Sequence, residues 1–178
     1  MIEVRDALAA DAEVIAAINA DGWRTNYVGL MPASRLARVE PLPDRWSSVI
    51  ARAPRPWHVS VAVTSAEVIG FLTFLPMRSE SLSIEGYDGE ISALYVAPER
   101  QRTGVERARF ERVRCAAATD GWAGLGVWTL AGSTQSCGFY AALGGRPIGT
   151  RTDLIDDIPV PGVGFGWRLH HRATALKE

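Results

Sequence analysis

The chain has 178 residues, of which 47% are apolar and 22% charged, and its formal net charge is −1. That length supports one ordinary domain with a real core, spanning 1–178, and that composition excludes a globally disordered chain. Near-neutral charge argues against nucleic acid or an anionic membrane as partner, and no apolar run approaches the roughly 20 residues that span a bilayer.

Ile2 to Ala7 alternates apolar and polar residues, which predicts a short strand. Asp11 is expected to cap a helix running to about Ala20, with Val14, Ile15 and Ile18 on one face. Trp23 to Pro32 is aromatic and loop-like, and it ends at a proline. Ala33 to about Val39 and Asp44 to about Arg52 read as two helical pieces separated by Pro41 and Pro43. Trp57–Thr64 and Glu67–Leu75 read as strands joined in a hairpin through Thr64-Ser65-Ala66.

Ser79 to Gly86 reads as polar loop, and Glu90 to Val96 as a third strand, ended by Pro98. Thr103 to about Asp120 reads as a helix closed by Gly121, with Val105, Ala108, Val113 and Ala116 on its apolar face. Gly124–Leu130 is the next strand, and Thr134–Leu143 a short helix stopped by Gly144-Gly145. Arg146–Arg151 and Gly164–Leu169 are the last strands, linked through Asp153–Gly162. The order β-α-α-β-β-β-α-β-α-β-β predicts one α/β domain with antiparallel hairpins and a βαβ unit toward the C-terminal half.

Cys115 and Cys137 lack CxxC spacing, and His58, His170 and His171 are scattered. This pattern predicts reduced thiols, no metal site and a cytoplasmic protein without a signal segment.

The most informative stretch is Leu94-Tyr95-Val96-Ala97-Pro98-Glu99-Arg100-Gln101-Arg102-Thr103-Gly104-Val105-Glu106. It reads as a strand, a turn and the start of a helix. Backbone N–H groups at a helix start are unpaired, and the helix dipole favours an anion there, so a phosphate fits. Glu106 places a carboxylate where such a cradle would carry Gly or Ala.

This segment resembles motif A of the GCN5-related N-acetyltransferase (GNAT) superfamily, whose signature runs Arg/Gln-x-x-Gly-x-Gly/Ala. Ala93-Leu94-Tyr95-Val96-Ala97-Pro98 is similar to the strand ending typical of that family. Gly138-Phe139-Tyr140-Ala141-Ala142-Leu143-Gly144-Gly145 is similar to its downstream helix. The resemblance implies an acyl-CoA N-acyltransferase fold: a mixed α/β domain with a central, mostly antiparallel sheet flanked by helices. It implies acetyl-CoA as cosubstrate, with the pyrophosphate on Gln101, Arg102, Thr103, Gly104, Val105 and Glu106. It also implies that the pantetheine arm lies along Leu94, Tyr95 and Val96, with Ser133 and Phe139 nearby and the strand at Gly124–Leu130 as the other wall.

By the same resemblance, Tyr140 is the acid that protonates the leaving thiolate, and Glu90 the base that deprotonates the amine, with Asp88 as its competitor. Trp23 and Tyr27 are implied to shape the pocket for a small-molecule or peptide amine. Each has a packing alternative: Phe139-Tyr140 as an aromatic pair on the sheet, Glu90 as a solvated strand end, Trp23 and Tyr27 as contacts between helices. Family members often dimerise, so a homodimer is an expectation too.

Three positions depart from the family pattern. Glu106 replaces Gly or Ala, Arg109 stands where Leu is usual, and Ser133 stands where Asn is common. Glu106 and Arg109 are three apart, so they can pair on one helix face. An alternative expectation follows: a catalytically impaired family-fold protein that serves as a binding or regulatory module with weakened acetyl-CoA binding. A third is the same fold using another acyl-CoA or none.

Overall fold

Seven strands form one sheet: β1 (Glu3–Asp6), β2 (His58–Thr64), β3 (Glu67–Pro76), β4 (Gly89–Val96), β5 (Gly124–Leu130), β6 (Arg146–Ile155) and β7 (Ile158–Arg168). Their order across the sheet is β1-β2-β3-β4-β5-β7-β6. The computed structural model describes residues 2–53, 58–65, 67–97, 100 and 104–169, with backbone alone for Val105, Glu106 and Arg109. Every neighbouring pair is antiparallel except β4 and β5, which run parallel. Among the described residues there are six α-helices: α1 (Ala12–Asn26), α2 (Ala33–Ala37), α3 (Pro43–Arg52), α4 (Glu80–Ile84), α5 (Val105–Thr119) and α6 (Thr134–Ala142).

The sheet is covered on both faces because its strands carry apolar residues on both. Val59, Val61 and Val63 of β2 and Phe71 of β3 bury against Ile15, Ile18, Trp46 and Ile50 of α1 and α3. Leu72, Phe74, Ile91, Leu125, Val127, Phe165 and Trp167 bury on the other face against Phe110, Val113 and Ala117 of α5 and Tyr140 of α6. Each such side chain contributes about 1.5–3 kcal/mol through removal from water. α5 is the crossover between the parallel strands β4 and β5, the βαβ unit read from the sequence. Gly121, in the left-handed region at φ +85°, ends α5 as expected. Among the described residues no helix is long and apolar enough to cross a membrane.

Several expectations need correction. Trp23 to Asn26 is the last turn of α1, not loop, because the only helix breaker before it is Gly22, and packing holds that residue in place. Ser79–Gly86 contains the helical turn α4, whose Leu82 is buried. Asp153–Gly162 is not a link: β6 and β7 pair through it down to Ile155 and Ile158. The reversal needs only Asp156 and Asp157, both at positive φ, as in the tight turns that Asp tolerates. Val14 is exposed on α1, and on α5 it is Phe110, Val113 and Ala117 that are buried while Ala108 is exposed. Trp57 and Ala66 lie outside the described residues.

Asp11 makes no side-chain cap on α1. Its buried carboxylate instead accepts from Arg5 Nη1 at 2.7 Å, Arg5 Nη2 at 3.0 Å and the Leu8 N–H at 2.7 Å. These contacts clamp the end of β1 to the start of α1. The Arg5 hydrogen bonds hold Asp11 below the usual carboxylate range, with burial opposing them. Asp11→Ala is therefore expected to cost about 1.5–3 kcal/mol at neutral pH by urea unfolding. The wild-type advantage is fully present above the ordinary carboxylate pKa and fades as pH falls through Asp11's lowered value. An Asp11→Ala penalty that did not shrink in acid would contradict this assignment.

Candidate active site

Parallel pairing between β4 and β5 lasts for three rungs, Gly89 to Leu125, Glu90 to Gly126 and Ile91 to Val127. Beyond Ile91 each strand follows its other neighbour. β4 stays with β3 as far as Val96 and Gly70, and β5 stays with β7 as far as Leu130 and Gly162. The cause is local: between the pairs Thr73–Ala93 and Phe74–Ile91, β4 carries one extra residue, Ser92. Such a bulge bends its strand and increases its twist. The Ser92 hydroxyl is pinned to that of Thr73 at 2.6 Å. The sheet therefore opens between Ser92–Val96 and Trp128–Leu130, where β4 and β5 share no ladder rung.

Phenols gather at this opening. Tyr27, at the C-terminal end of α1, and Tyr95 of β4 bond hydroxyl to hydroxyl at 3.1 Å. Trp23 packs edge-on against Tyr27, with ring centroids 5.2 Å apart. Tyr140 comes from α6 on the other face and is buried among Phe139, Phe165 and Trp167. Burial pushes the Tyr140 phenol well up, and Tyr27 and then Cys137 push it further. Burial likewise raises Tyr95, with Tyr27 and Tyr140 adding to it, and raises Tyr27, against the opposing Tyr95 hydrogen bond. All three stay neutral at ordinary pH, so Tyr140 is a phenol with a proton to give.

Glu90 is not a solvated strand end: it is 4% exposed. Arg78 holds it through Nε at 3.2 Å, Nη2 at 2.5 Å and the backbone N–H at 3.3 Å. Asp88, the competing carboxylate, accepts from the Ala123 N–H and fastens β4 to the turn before β5.

The predicted cradle is described in part. Gln101, Arg102 and Thr103 lie outside the described residues, as do the side chains of Val105, Glu106 and Arg109, and with them the Glu106–Arg109 pair. Gly104 caps α5 in the left-handed conformation at φ +88°, and among the described residues a Cβ there would meet no atom within 4 Å. Glu106 occupies the first turn of α5, where the helix dipole favours an acidic residue. Ser133 is buried and caps α6: its Oγ accepts from the Ser136 N–H at 3.3 Å and donates to the Ser136 hydroxyl at 2.9 Å. Phe139 and Leu94 pack at the edge of the α5–α6 core. A separate cavity of about 510 Å³ between α5 and β1–β3 contains none of the predicted site residues.

The sequence model of the acetyltransferase (GNAT) family matches residues 26–145 of this chain. The chain belongs to the GNAT acetyltransferase family. An uncharacterized N-acetyltransferase, YuaI of Bacillus subtilis, is 32% identical over 170 residues, covering 94% of this chain and 93% of that protein. Among solved structures, the PaiA N-acetyltransferase of Thermoplasma acidophilum in complex with coenzyme A aligns at a TM-score of 0.70 and 15% identity, over 92% of this chain and 98% of its own. NAA60 of Arabidopsis thaliana in complex with a bisubstrate analogue aligns at 0.74 and 17% identity, over 94% and 98%. The last two likenesses concern the GNAT fold.

Three features of this GNAT site had little signal in the sequence. Arg78 is twelve residues from Glu90, and only the β3–β4 hairpin brings them together. The Ser92 bulge follows from a register that no local pattern encodes. The segment after α1 crosses the β5–β7–β6 part of the sheet as a strap: Leu30 lies over Gly132, and Arg38 ion-pairs with Asp156 at the β6–β7 tip. Gly22 did carry a signal, as a glycine inside an apolar helical pattern. A Cβ there would sit 2.3 Å from Tyr95 Cδ1. Gly22→Ala is thus expected to displace the Tyr95 ring and destabilise the domain by about 1–3 kcal/mol. Thermal unfolding measures it, and a variant as stable as wild type would contradict the packing described.

Proposed function

We propose that this chain moves an acetyl group from acetyl-CoA to the amine of a small molecule or peptide by direct attack. The observation that carries this reading is the opened β4–β5 pair, whose parted strands lead into the N-termini of α5 and α6. The stretch of β4 at Leu94–Val96, which shares no rung with β5, suits an extended amide-bearing arm that adds to β4 as a strand would. Open space at Gly104 and the dipole of α5 suit a pyrophosphate. Acetyl-CoA would supply an activated thioester there.

The rest of the chemistry falls to side chains. The acceptor amine must lose a proton before it can attack. Glu90 is the buried carboxylate on the acceptor side, and Arg78 fixes it, so it takes that proton through a bridging water. Tyr140, a neutral phenol, gives its own proton to the departing thiolate. Trp23 and Tyr27 wall the acceptor side.

Calorimetric titration with acetyl-CoA, paired with a thiol-release assay, tests the proposal. Tyr140→Phe is expected to retain acetyl-CoA binding and to lower kcat by about a hundredfold or more. No binding at millimolar acetyl-CoA would overturn the reading, and an unchanged kcat would remove Tyr140 from its role.

A further inference from the structure

Trp128 is the first residue of β5 past the last rung shared with β4. It lies two residues beyond Gly126, the register partner of Glu90, and so on the same face of the sheet as Glu90. Its ring lies along β7 at Gly164, where a Cβ would stand 3.3 Å from Cη2. The Arg151 guanidinium covers it, with Cζ 4.6 Å from the ring centroid. The Trp128 Nε1 is buried, yet among the described residues it has no hydrogen-bond partner. Arg151 spends Nε on Asp153 Oδ2 at 2.9 Å, and its two terminal nitrogens have no partner among the described residues.

A buried N–H donor without an acceptor is rare, because losing water without replacement is costly. Here it adjoins a cation held flat by stacking and by Asp153, over β7 on the face of the sheet that carries Glu90. Both groups only donate. Across the same face, Arg78 occupies the Glu90 carboxylate. The unmet demand on this wall is for an oxyanion.

We infer that Trp128 and Arg151 form a carboxylate-recognising corner, and that the acceptor is a small amine that also bears a carboxylate, as an α-amino acid does. The inference rests on the acetyl-transfer reading for the amine, while the corner itself can be tested without acetyl-CoA. No covalent step is added: the indole N–H and the guanidinium fix one end of the acceptor while its amine faces the thioester.

Two measurements on the full chain test it. Thiol release from acetyl-CoA is followed with a panel of α-amino acids, their primary amides and the corresponding decarboxylated amines. At least one acid is expected to show a kcat/KM about tenfold or more above its amide and its decarboxylated amine, as one charge-assisted contact predicts. Arg151→Gln and Trp128→Phe should each bring that ratio toward one. In the second measurement the Trp128 indole N–H resonance, assigned by its loss in Trp128→Phe, should shift when the preferred acid is added without acetyl-CoA. Equal or better use of the uncharged amines would overturn the proposal. So would an acid preference that survives both substitutions, or an indole resonance that no acid moves. Acetyl-CoA binding is measured separately by calorimetry, so a failed transfer reading is distinguishable from a failed carboxylate corner.

Discussion

An extra residue in one strand cannot be absorbed by both of its neighbours. At Ser92 the antiparallel partner β3 wins, because its ladder with β4 continues to Gly70 and Val96. The parallel partner β5 loses, because its ladder has three rungs and β7 offers it seven. Parallel pairing is also slightly weaker per residue than antiparallel pairing. The sheet therefore divides into β1–β4 and β5–β7–β6, joined at Gly89–Ile91. The candidate site follows from that division: two parted strand edges, with a helix following each of them.

The two faces of the opening differ in kind. On one side α5 and α6 pack an apolar core, and α6 brings Tyr140 to the opening with its phenol deeply buried. On the other, α1, the strap after it and the β6–β7 hairpin bring aromatic rings, the Arg78–Glu90 pair and Arg151. This asymmetry suits a reaction whose two substrates differ in size and charge and enter from opposite sides. Gly22 links the site to the scaffold, because the helix that carries Trp23 and Tyr27 approaches Tyr95 only where a side chain is missing.

Much of the fold was legible in the sequence because it is written in local signals. The Val alternation of β2, the Leu94-Tyr95-Val96-Ala97-Pro98 strand ending and the Gly121 stop each act within a few residues. What was misread depends on distant partners. Trp23–Asn26 is helical because α1 continues along the sheet, and the Asp153–Gly162 segment is extended because β6 and β7 pair through it. Site residues divide in the same way. Glu90 and Tyr140 stand out through the family resemblance. The partner of Glu90, the bulge that opens the sheet and the orphaned indole of Trp128 emerge only once strands are in register. Asp11 is instructive: an acid before a helix reads as a cap, but a guanidinium on the preceding strand outcompetes the helix for it.

The central claim is that the Ser92 bulge parts β4 from β5, so that a ligand adds along Ala93–Val96 as a strand would. Residue-resolved amide hydrogen exchange, with and without coenzyme A, tests it most directly. The β5-facing amides among Ala93–Val96 should slow by about tenfold or more when coenzyme A binds. The Gly89–Ile91 rungs, already paired, should change far less. Coenzyme A binding that left the exchange of Ala93–Val96 unchanged would contradict the account.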